Sequence, residues 1–470
     1  MSAYALTING KAAPVSGSFD VINPADGSLV AACPLGTPAL IDAAVESARR
    51  ALPAWSSLAD SERVAKLMAI ADLIEKHHQE LSELVTREQG KPQSGPGANL
   101  EVGGAAAWTR VTAGLSLPEE TIQDDAKQKI VVRRKPVGVV GSITPWNWPL
   151  MIAVWHVMPA LRVGCTVIIK PSPFTPLSTL RLVALMNEVL PPGVINAVTG
   201  GPEVGERMAQ HPGIDKIVFT GSIPTGKKVM GGAAETLKRV TLELGGNDAG
   251  VVLPGTKIEP MLEKLFWGCF INAGQTCASL KRLYVHADDY EEVVEKFAAY
   301  VAKIPVGNGL DPGNLIGPVS NRMQLDKVSA FVEDARKRGA RIVTGGVRPQ
   351  GPGFFYPLTL IADATDDMRV VSEEQFGPVI PIIKYHTVEE AFRRANSLDV
   401  GLGGSVWGND AQEAASYASR LECGTAWVNQ HGVLHPLAPF GGVKRSGIGV
   451  EFNVDGLKEY TTVQVVNVAL

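Results

Sequence analysis

Between residues 137 and 244 the chain alternates five short apolar runs, rich in β-branched residues, with longer stretches of helical pattern, and few folds accommodate that rhythm. The runs at 137–143, 166–170, 195–198, 216–219 and 239–244 read as strands. Helices are predicted between them at 150–163, 176–190, 202–210 and 227–237, with Pro176 opening one and Pro191-Pro192-Gly193 closing it. Strands that are apolar almost throughout have both faces covered, as in a parallel sheet. The alternation therefore predicts a doubly wound, Rossmann-like α/β sheet whose ligands sit at the carboxyl ends of its strands.

After Gly245-Gly246 the rhythm resumes less regularly. Strands at 249–253, 282–285, 340–343, 379–383 and 425–429, with helices at 260–270 and 290–304, predict a second α/β domain. Two stretches fit neither sheet. Residues 128–134 read as an extended ribbon after an acidic-polar loop, and 460–468 is β-rich with no helix after it. A terminal strand of that kind can pair with another chain or complete a sheet of its own. Residues 39–89 are mostly helical in pattern, with Leu67, Ile70, Ala71 and Ile74 on one face. A chain of 470 residues has room for two or three such domains.

Charge narrows the partners. The net charge is −4 and the densest basic run is Arg133-Arg134-Lys135, so the footprint for nucleic acid or an anionic membrane surface is missing. With 45% hydrophobic residues, a core of this size needs no metal or disulfide staple. The five cysteines, Cys33, Cys165, Cys269, Cys277 and Cys423, are odd in number and form no Cys-x-x-Cys pair. Neither a disulfide framework nor a cysteine-based metal site is expected, and reduced thiols fit a cytoplasmic location. The N-terminus has no basic region followed by an apolar run, so no signal peptide is expected. The most apolar stretch, 149–161, contains His156 and is too short to span a bilayer.

Several short motifs could carry chemistry. Phe219-Thr220-Gly221-Ser222-Ile223-Pro224-Thr225-Gly226 lies between a strand and a helix, where glycine backbone and helix amides favour a phosphate. It is neither the G-x-G-x-x-G fingerprint nor a P-loop, and a plain βα turn would look the same. Lys170, followed by Pro171 and Ser172, ends a strand at the ligand-binding edge, though a solvated lysine is the simpler account of it alone. In Pro145-Trp146-Asn147-Trp148-Pro149 two prolines fix a short loop. Its Asn147 amide could donate to an oxyanion, or simply be a turn residue between packed aromatics. Glu243, in Leu242-Glu243-Leu244-Gly245-Gly246, ends an apolar strand; burial suits it as a general base unless a distant lysine pairs with it. Cys277 follows Gly274-Gln275-Thr276 in a polar turn of the kind reactive cysteines occupy. Cys269, inside Phe266-Trp267-Gly268-Cys269-Phe270, reads as core.

In this order and spacing the motifs resemble the aldehyde dehydrogenase superfamily over about residues 12–465. The resemblance implies Cys277 as nucleophile, Glu243 as general base, Asn147 as oxyanion donor and Glu451 as a second carboxylate near the active site. It implies an NAD or NADP cofactor held by Thr144, Pro145, Trp146, Lys170, Ser172, Gly221, Ser222 and Gly245. Glu374 and Phe376, in Glu373-Glu374-Gln375-Phe376-Gly377-Pro378, match the segment that contacts the nicotinamide ribose. Pro439-Phe440-Gly441-Gly442 and Ser446-Gly447-Ile448-Gly449 also match. The implied domains are a cofactor domain at 1–117 and 137–245 and a catalytic domain at 246–446. A small β element at 118–136 and 447–470 would serve oligomerisation, giving a homodimer or homotetramer.

Three positions depart from the family pattern. Asn247 and Val450 stand where Lys and Arg are common, away from the implied nucleophile and base. Pro173 stands where NAD-preferring members often carry a Glu that repels a 2′-phosphate, which leaves NAD and NADP both open. The implied reaction is oxidation of an aldehyde to the carboxylic acid through a Cys277 thiohemiacetal and thioester, an EC 1.2.1-type dehydrogenase. Acyl transfer to coenzyme A is the rival within the fold, and a non-catalytic NAD-binding protein is the rival outside it. The matched substrate-pocket positions are Trp148, Ile152, Trp155, Ile271, Thr276, Ala278, Leu434, His435 and Phe440. None is an Arg or Lys that would grip a second carboxylate, so an apolar or aromatic aldehyde is expected. His431 and His435 could meet a polar tail.

Overall fold

A computed structural model describes residues 4–470. The five expected strands are Val139–Ile143, Thr166–Lys170, Ile195–Ala197, Lys216–Gly221 and Arg239–Leu244, all parallel. In chain order they lie third, second, first, fourth, fifth across the sheet, so the winding reverses between Val139–Ile143 and Lys216–Gly221. This is the Rossmann order, and ligands bind where it reverses. Val139–Ile143 and Thr166–Lys170 are buried at every residue, as continuous apolar runs should be. The hairpin Thr7–Ile8 and Lys11–Ala12 extends one edge of the sheet, and Gly447–Ile448 pairs with Leu242 and Glu243 at the other.

The helix after Lys216–Gly221 runs Ile223–Ala234, four residues earlier than its predicted start at 227. Ser222 is its N-cap, accepting from the Thr225 N–H, and Pro224 fits the first turn because it has no N–H to satisfy. The predicted 39–89 region is three helices, Pro38–Ser56, Asp60–Lys76 and His78–Gln89. The face of Leu67, Ile70, Ala71 and Ile74 is buried. A further helix, Ala98–Gly114, follows.

The second sheet runs Arg341–Thr344, Thr359–Ala362, Val379–Tyr385, Leu280–His286, Asp248–Val252, Gly403–Trp407, Thr425–Val428, parallel except for the first strand. Two of these strands are absent from the sequence reading. Thr359–Ala362 is only four residues long, and Gly403–Trp407 opens on two glycines, which disfavour strands.

Glu120–Asp124, Gln128–Pro136 and Thr461–Ala469 form an antiparallel three-stranded sheet. The C-terminal strand therefore pairs with its own chain, from Thr461 opposite Pro136 to Ala469 opposite Gln128. Its outer edge has no partner among the described residues and leaves Val463, Val465 and Val468 exposed. The stretch 447–470 is thus not one element. Gly447–Ile448 belongs to the edge of the first sheet, the helix Asn453–Lys458 follows, and only Thr461–Ala469 joins the ribbon. Among the described residues no helix is long and apolar enough to cross a membrane.

Candidate active site

The strand reversal in the first sheet opens a cleft of about 1090 Å³. The first sheet contributes Thr144, Pro145, Trp146, Asn147, Lys170, Ser172, Gly221, Ser222, Glu243 and Gly245 to its walls. Cys277, Glu374 and Phe376 come from the second sheet and its loops. All ten residues matched to the cofactor, and three of the four matched to catalysis, line this one space. Trp146 and Phe376 meet edge to face across it, ring centroids 5.3 Å apart. The donor set fits a dinucleotide. The Ser222-capped helix presents its N-terminal amides beside Gly221, suiting a pyrophosphate. The buried Thr144 hydroxyl has no hydrogen-bond partner. Burial lowers the Lys170 ammonium to about pKa 8, with the Glu203 carboxylate opposing that shift.

The loop that carries Cys277 is held in an unusual backbone. The helix Leu262–Phe270 ends in the short 3-10 segment Ile271–Gly274, where Asn272 (φ 52°) and Ala273 (φ 55°) are left-handed. Such residues cost roughly 1–3 kcal/mol each and persist only where surroundings fix them. Here the fixing is explicit. Asn272 Nδ2 donates to the Asn147 carbonyl (2.9 Å), Asn147 Nδ2 to the Gln275 carbonyl (3.0 Å), and Trp148 Nε1 to Thr276 Oγ1 (3.0 Å). Gly274 is required, because a Cβ there would lie 2.3 Å from the Gly377 carbonyl. These bonds stitch the Asn147 loop to the Cys277 loop and leave Asn147 a second amide N–H to offer. Cys277 is half-buried at the cleft wall, whereas Cys269 is fully buried among Phe266 and Phe270.

Glu243 is buried and neither carboxylate oxygen has a hydrogen-bond partner, so the alternative of a paired, structural Glu does not hold. Burial pushes its pKa well above the usual carboxylate range, and the nearby Glu451 carboxylate adds to the shift. Glu451 does not line the cleft; it lies behind, with Oε1 3.3 Å from His156 Nε2. His156 also meets Ser142 Oγ and Thr220 Oγ1, both at 2.9 Å. Burial pushes the Cys277 thiol up to about 12, opposed by Lys281 and reinforced by Glu243, Glu374 and Asp248.

The substrate-side positions fall into two apolar clusters. Trp148, Ile152, Trp155 and Ile271 pack with Met151 and Trp108. Ala278, Leu434 and Phe440 pack with Cys277, Trp427 and Phe452. Phe452 bridges the two, its ring centroid 4.8 Å from Trp155, 5.7 Å from Trp108 and 5.9 Å from Phe440. Its backbone (φ 67°, ψ 167°) occupies a region nearly confined to glycine, a further strained position beside the site. His435 is exposed and outside both clusters; its Nδ1 accepts from the Leu437 N–H. His431 is no exposed loop residue. It is buried with Nδ1 2.9 Å from Ser405 Oγ and Nε2 3.4 Å from Asp248 Oδ2, because its loop turns back onto the second sheet.

Sequence reading missed Trp108, Phe452, His156 and Lys281. Lys281 had a visible signal, a charged residue four after Cys277 at the start of a strand that also carries Arg282. His156 had one too, as the polar interruption of an apolar helix. Trp108 and Phe452 had none, since only the fold brings them together.

A doubly wound sheet with a cleft at its strand reversal, lined by a thiol, is an arrangement that nicotinamide-dependent oxidoreductases use. The model of the aldehyde dehydrogenase family matches residues 12–466. Human retinaldehyde dehydrogenase 3 is 38% identical over 460 residues, 96% of this chain and 90% of that protein. The NAD+ complex of an aldehyde dehydrogenase from Bacillus cereus has a TM-score of 0.96 at 36% identity, covering 99% of this chain and 96% of its own. An NADP-dependent enzyme from E. coli has a TM-score of 0.96 at 34% identity, covering 99% and 98%. The chain belongs to the aldehyde dehydrogenase family and is an NAD(P)-dependent oxidoreductase of EC 1.2.1 type.

Proposed function

We propose that the protein oxidises an apolar or aromatic aldehyde to its carboxylic acid through a thiohemiacetal and then a thioester on Cys277. The observation that carries this reading is the convergence of Asn147, Glu243 and Cys277 on one cleft with the cofactor-type residues. The Cys277 thiolate, its proton released to solvent, attacks the aldehyde carbon. The free Asn147 amide N–H and the Cys277 main-chain N–H stabilise the oxyanion. NAD(P)+, when held by the cofactor-type residues of the cleft, would supply the hydride acceptor for oxidation to the thioester. Glu243 then takes a proton from water, which attacks the thioester carbon and releases the acid. An unpartnered carboxylate at that point favours water over coenzyme A as acyl acceptor.

Lys170 and Ser172 would hold the adenosine ribose, Gly221 and Ser222 the pyrophosphate, and Glu374 with Phe376 the nicotinamide ribose. Thr144, Pro145, Trp146 and Gly245 would form the wall between them. Glu451 would receive charge or protons from Glu243, which it neighbours. Pro173 offers no carboxylate against a 2′-phosphate, so both NAD+ and NADP+ are accepted. The aromatic clusters support the substrate class. Lys91, which lies over the Trp148 ring, is paired with Glu101. We read residues 1–117 and 137–245 as the cofactor domain and 246–446 as the catalytic domain. The unpaired edge of Thr461–Ala469 supports a homodimer or homotetramer, and the reduced cysteines support a cytoplasmic location.

The test is Cys277→Ala with benzaldehyde and NAD+. Loss of NADH formation with cofactor binding intact is the expected result; substantial remaining turnover overturns the assignment.

A further inference from the structure

Lys281 is buried at the base of the nucleophile loop, on the strand Leu280–His286. Its ammonium donates to the carbonyls of Thr276 (3.0 Å), Ser279 (3.4 Å) and Cys277 itself. On its other side it lies 3.4 Å from Glu374 Oε1, and Glu374 also accepts from the Gly246 N–H (3.2 Å). Gln375 returns the contact, its side chain donating to the Lys281 carbonyl (3.2 Å). One buried cation thus touches the main chain of the proposed nucleophile and the carboxylate proposed for the nicotinamide ribose.

The charges around the thiol make that cation consequential. Three carboxylates bear on Cys277, those of Glu243, Glu374 and Asp248, and all disfavour a thiolate; Lys281 is the cation set against them. Asp248 has His431 as its neighbour at 3.4 Å, and Lys327 also bears on Glu374. A buried ion pair is weak evidence for stability, since apolar residues of similar volume often do as well. A lysine at this point is better explained by what it positions.

We propose that Lys281 is a positioning residue that ties the nucleophile loop to the cofactor carboxylate, so that Cys277 and Glu374 are set by a single internal ammonium. The inference rests on the roles proposed above for those two residues. It gives the thiolate a fixed counter-charge in a site otherwise ringed by carboxylates. It also makes the orientation of Glu374 depend on the loop that carries the nucleophile.

The test is the rate of Cys277 alkylation by iodoacetamide as a function of pH, in the full-length enzyme and in Lys281→Met, Lys281→Arg and Glu374→Gln. The dissociation constant for NAD+ is measured alongside. Lys281→Met should move the labelling midpoint up by about one unit, a roughly tenfold slower reaction at fixed pH below it. NAD+ should also bind more weakly to that variant. Lys281→Arg, which keeps the charge, should stay near the parent. Glu374→Gln removes an anion and should move the midpoint down, an opposite sign that loosened packing alone would not give. If Lys281→Met does not fold, Glu374→Gln and Lys281→Arg still decide the matter. A parent-like midpoint or a parent-like NAD+ constant in Lys281→Met overturns the proposal, as does a Glu374→Gln midpoint that fails to fall. Failure of the underlying reading looks different: the parent would be labelled elsewhere than Cys277, or Cys277→Ala would turn over.

Discussion

Cys277 has two unlike sides. Towards the cofactor cleft the proposed roles fall on residues set by local backbone: Asn147 in a short loop between two prolines, Ser222 at a helix N-cap, Glu243 at a strand end. Towards the aromatic clusters the walls are side chains from distant stretches of chain, Trp108, Trp155, Phe440 and Phe452, whose rings touch only once the fold is made. The first side carries residues placed by short local motifs. The second is built from aromatic side chains that only the fold brings together. Changes on one side should therefore leave the other largely intact.

The largest separation is expected for Glu243→Gln. General-base loss typically costs about 10²–10⁴-fold in rate. The first turnover, which forms the thioester, should suffer less than the steady state, and a pre-steady-state burst of NADH would record this. The pH dependence should change with it. The raised pKa of Glu243 means that activity is lost as pH falls through that value, and the variant should lose this limb of the kcat profile. Asn147→Ala comes next. Removal of one oxyanion donor costs about 10²–10³-fold in kcat. NAD+ affinity, followed by tryptophan quenching, should barely move, and a large loss of affinity would merge the two sides that the account keeps apart. On the aromatic side, Phe452→Ala should lower kcat/KM for benzaldehyde by about tenfold, on the scale of a lost apolar contact. The effect on acetaldehyde should be smaller, and NAD+ binding unchanged. The smallest effect is expected at the rim. Pro173→Glu should weaken NADP+ a few-fold relative to NAD+, measured as a ratio of dissociation constants, with aldehyde selectivity untouched.

The same contrast governs what the sequence made legible. The parallel sheet could be read because its strands are buried on both faces and so carry continuous apolar runs. The grouping of these residues on one cleft could be read because they sit in short motifs next to those strands. The helix Ile223–Ala234 was misplaced by four residues because its glycines and proline look like loop, while the Ser222 cap that starts it is a single hydrogen bond. Gly403–Trp407 was missed because packing between neighbouring strands, rather than propensity, makes it a strand. His435 was placed in the pocket by its position in a matched motif, but its loop turns it to solvent. His431, from the same loop, points inward to Ser405 and Asp248. Lys281 shows the limit best. Its charge on a strand next to Cys277 was visible, but its link between Cys277 and Glu374 exists only across two loops that are 97 residues apart.

The central claim is that the acyl group rides on Cys277 before water releases it. The direct test is acid quench of the Glu243→Gln variant after mixing with benzaldehyde and NAD+, followed by mass spectrometry of its peptides. A benzoyl adduct is expected on the peptide that contains Cys277, at close to one per active site. An adduct on another cysteine, or NADH formation with no acyl-enzyme at any time point, would contradict it.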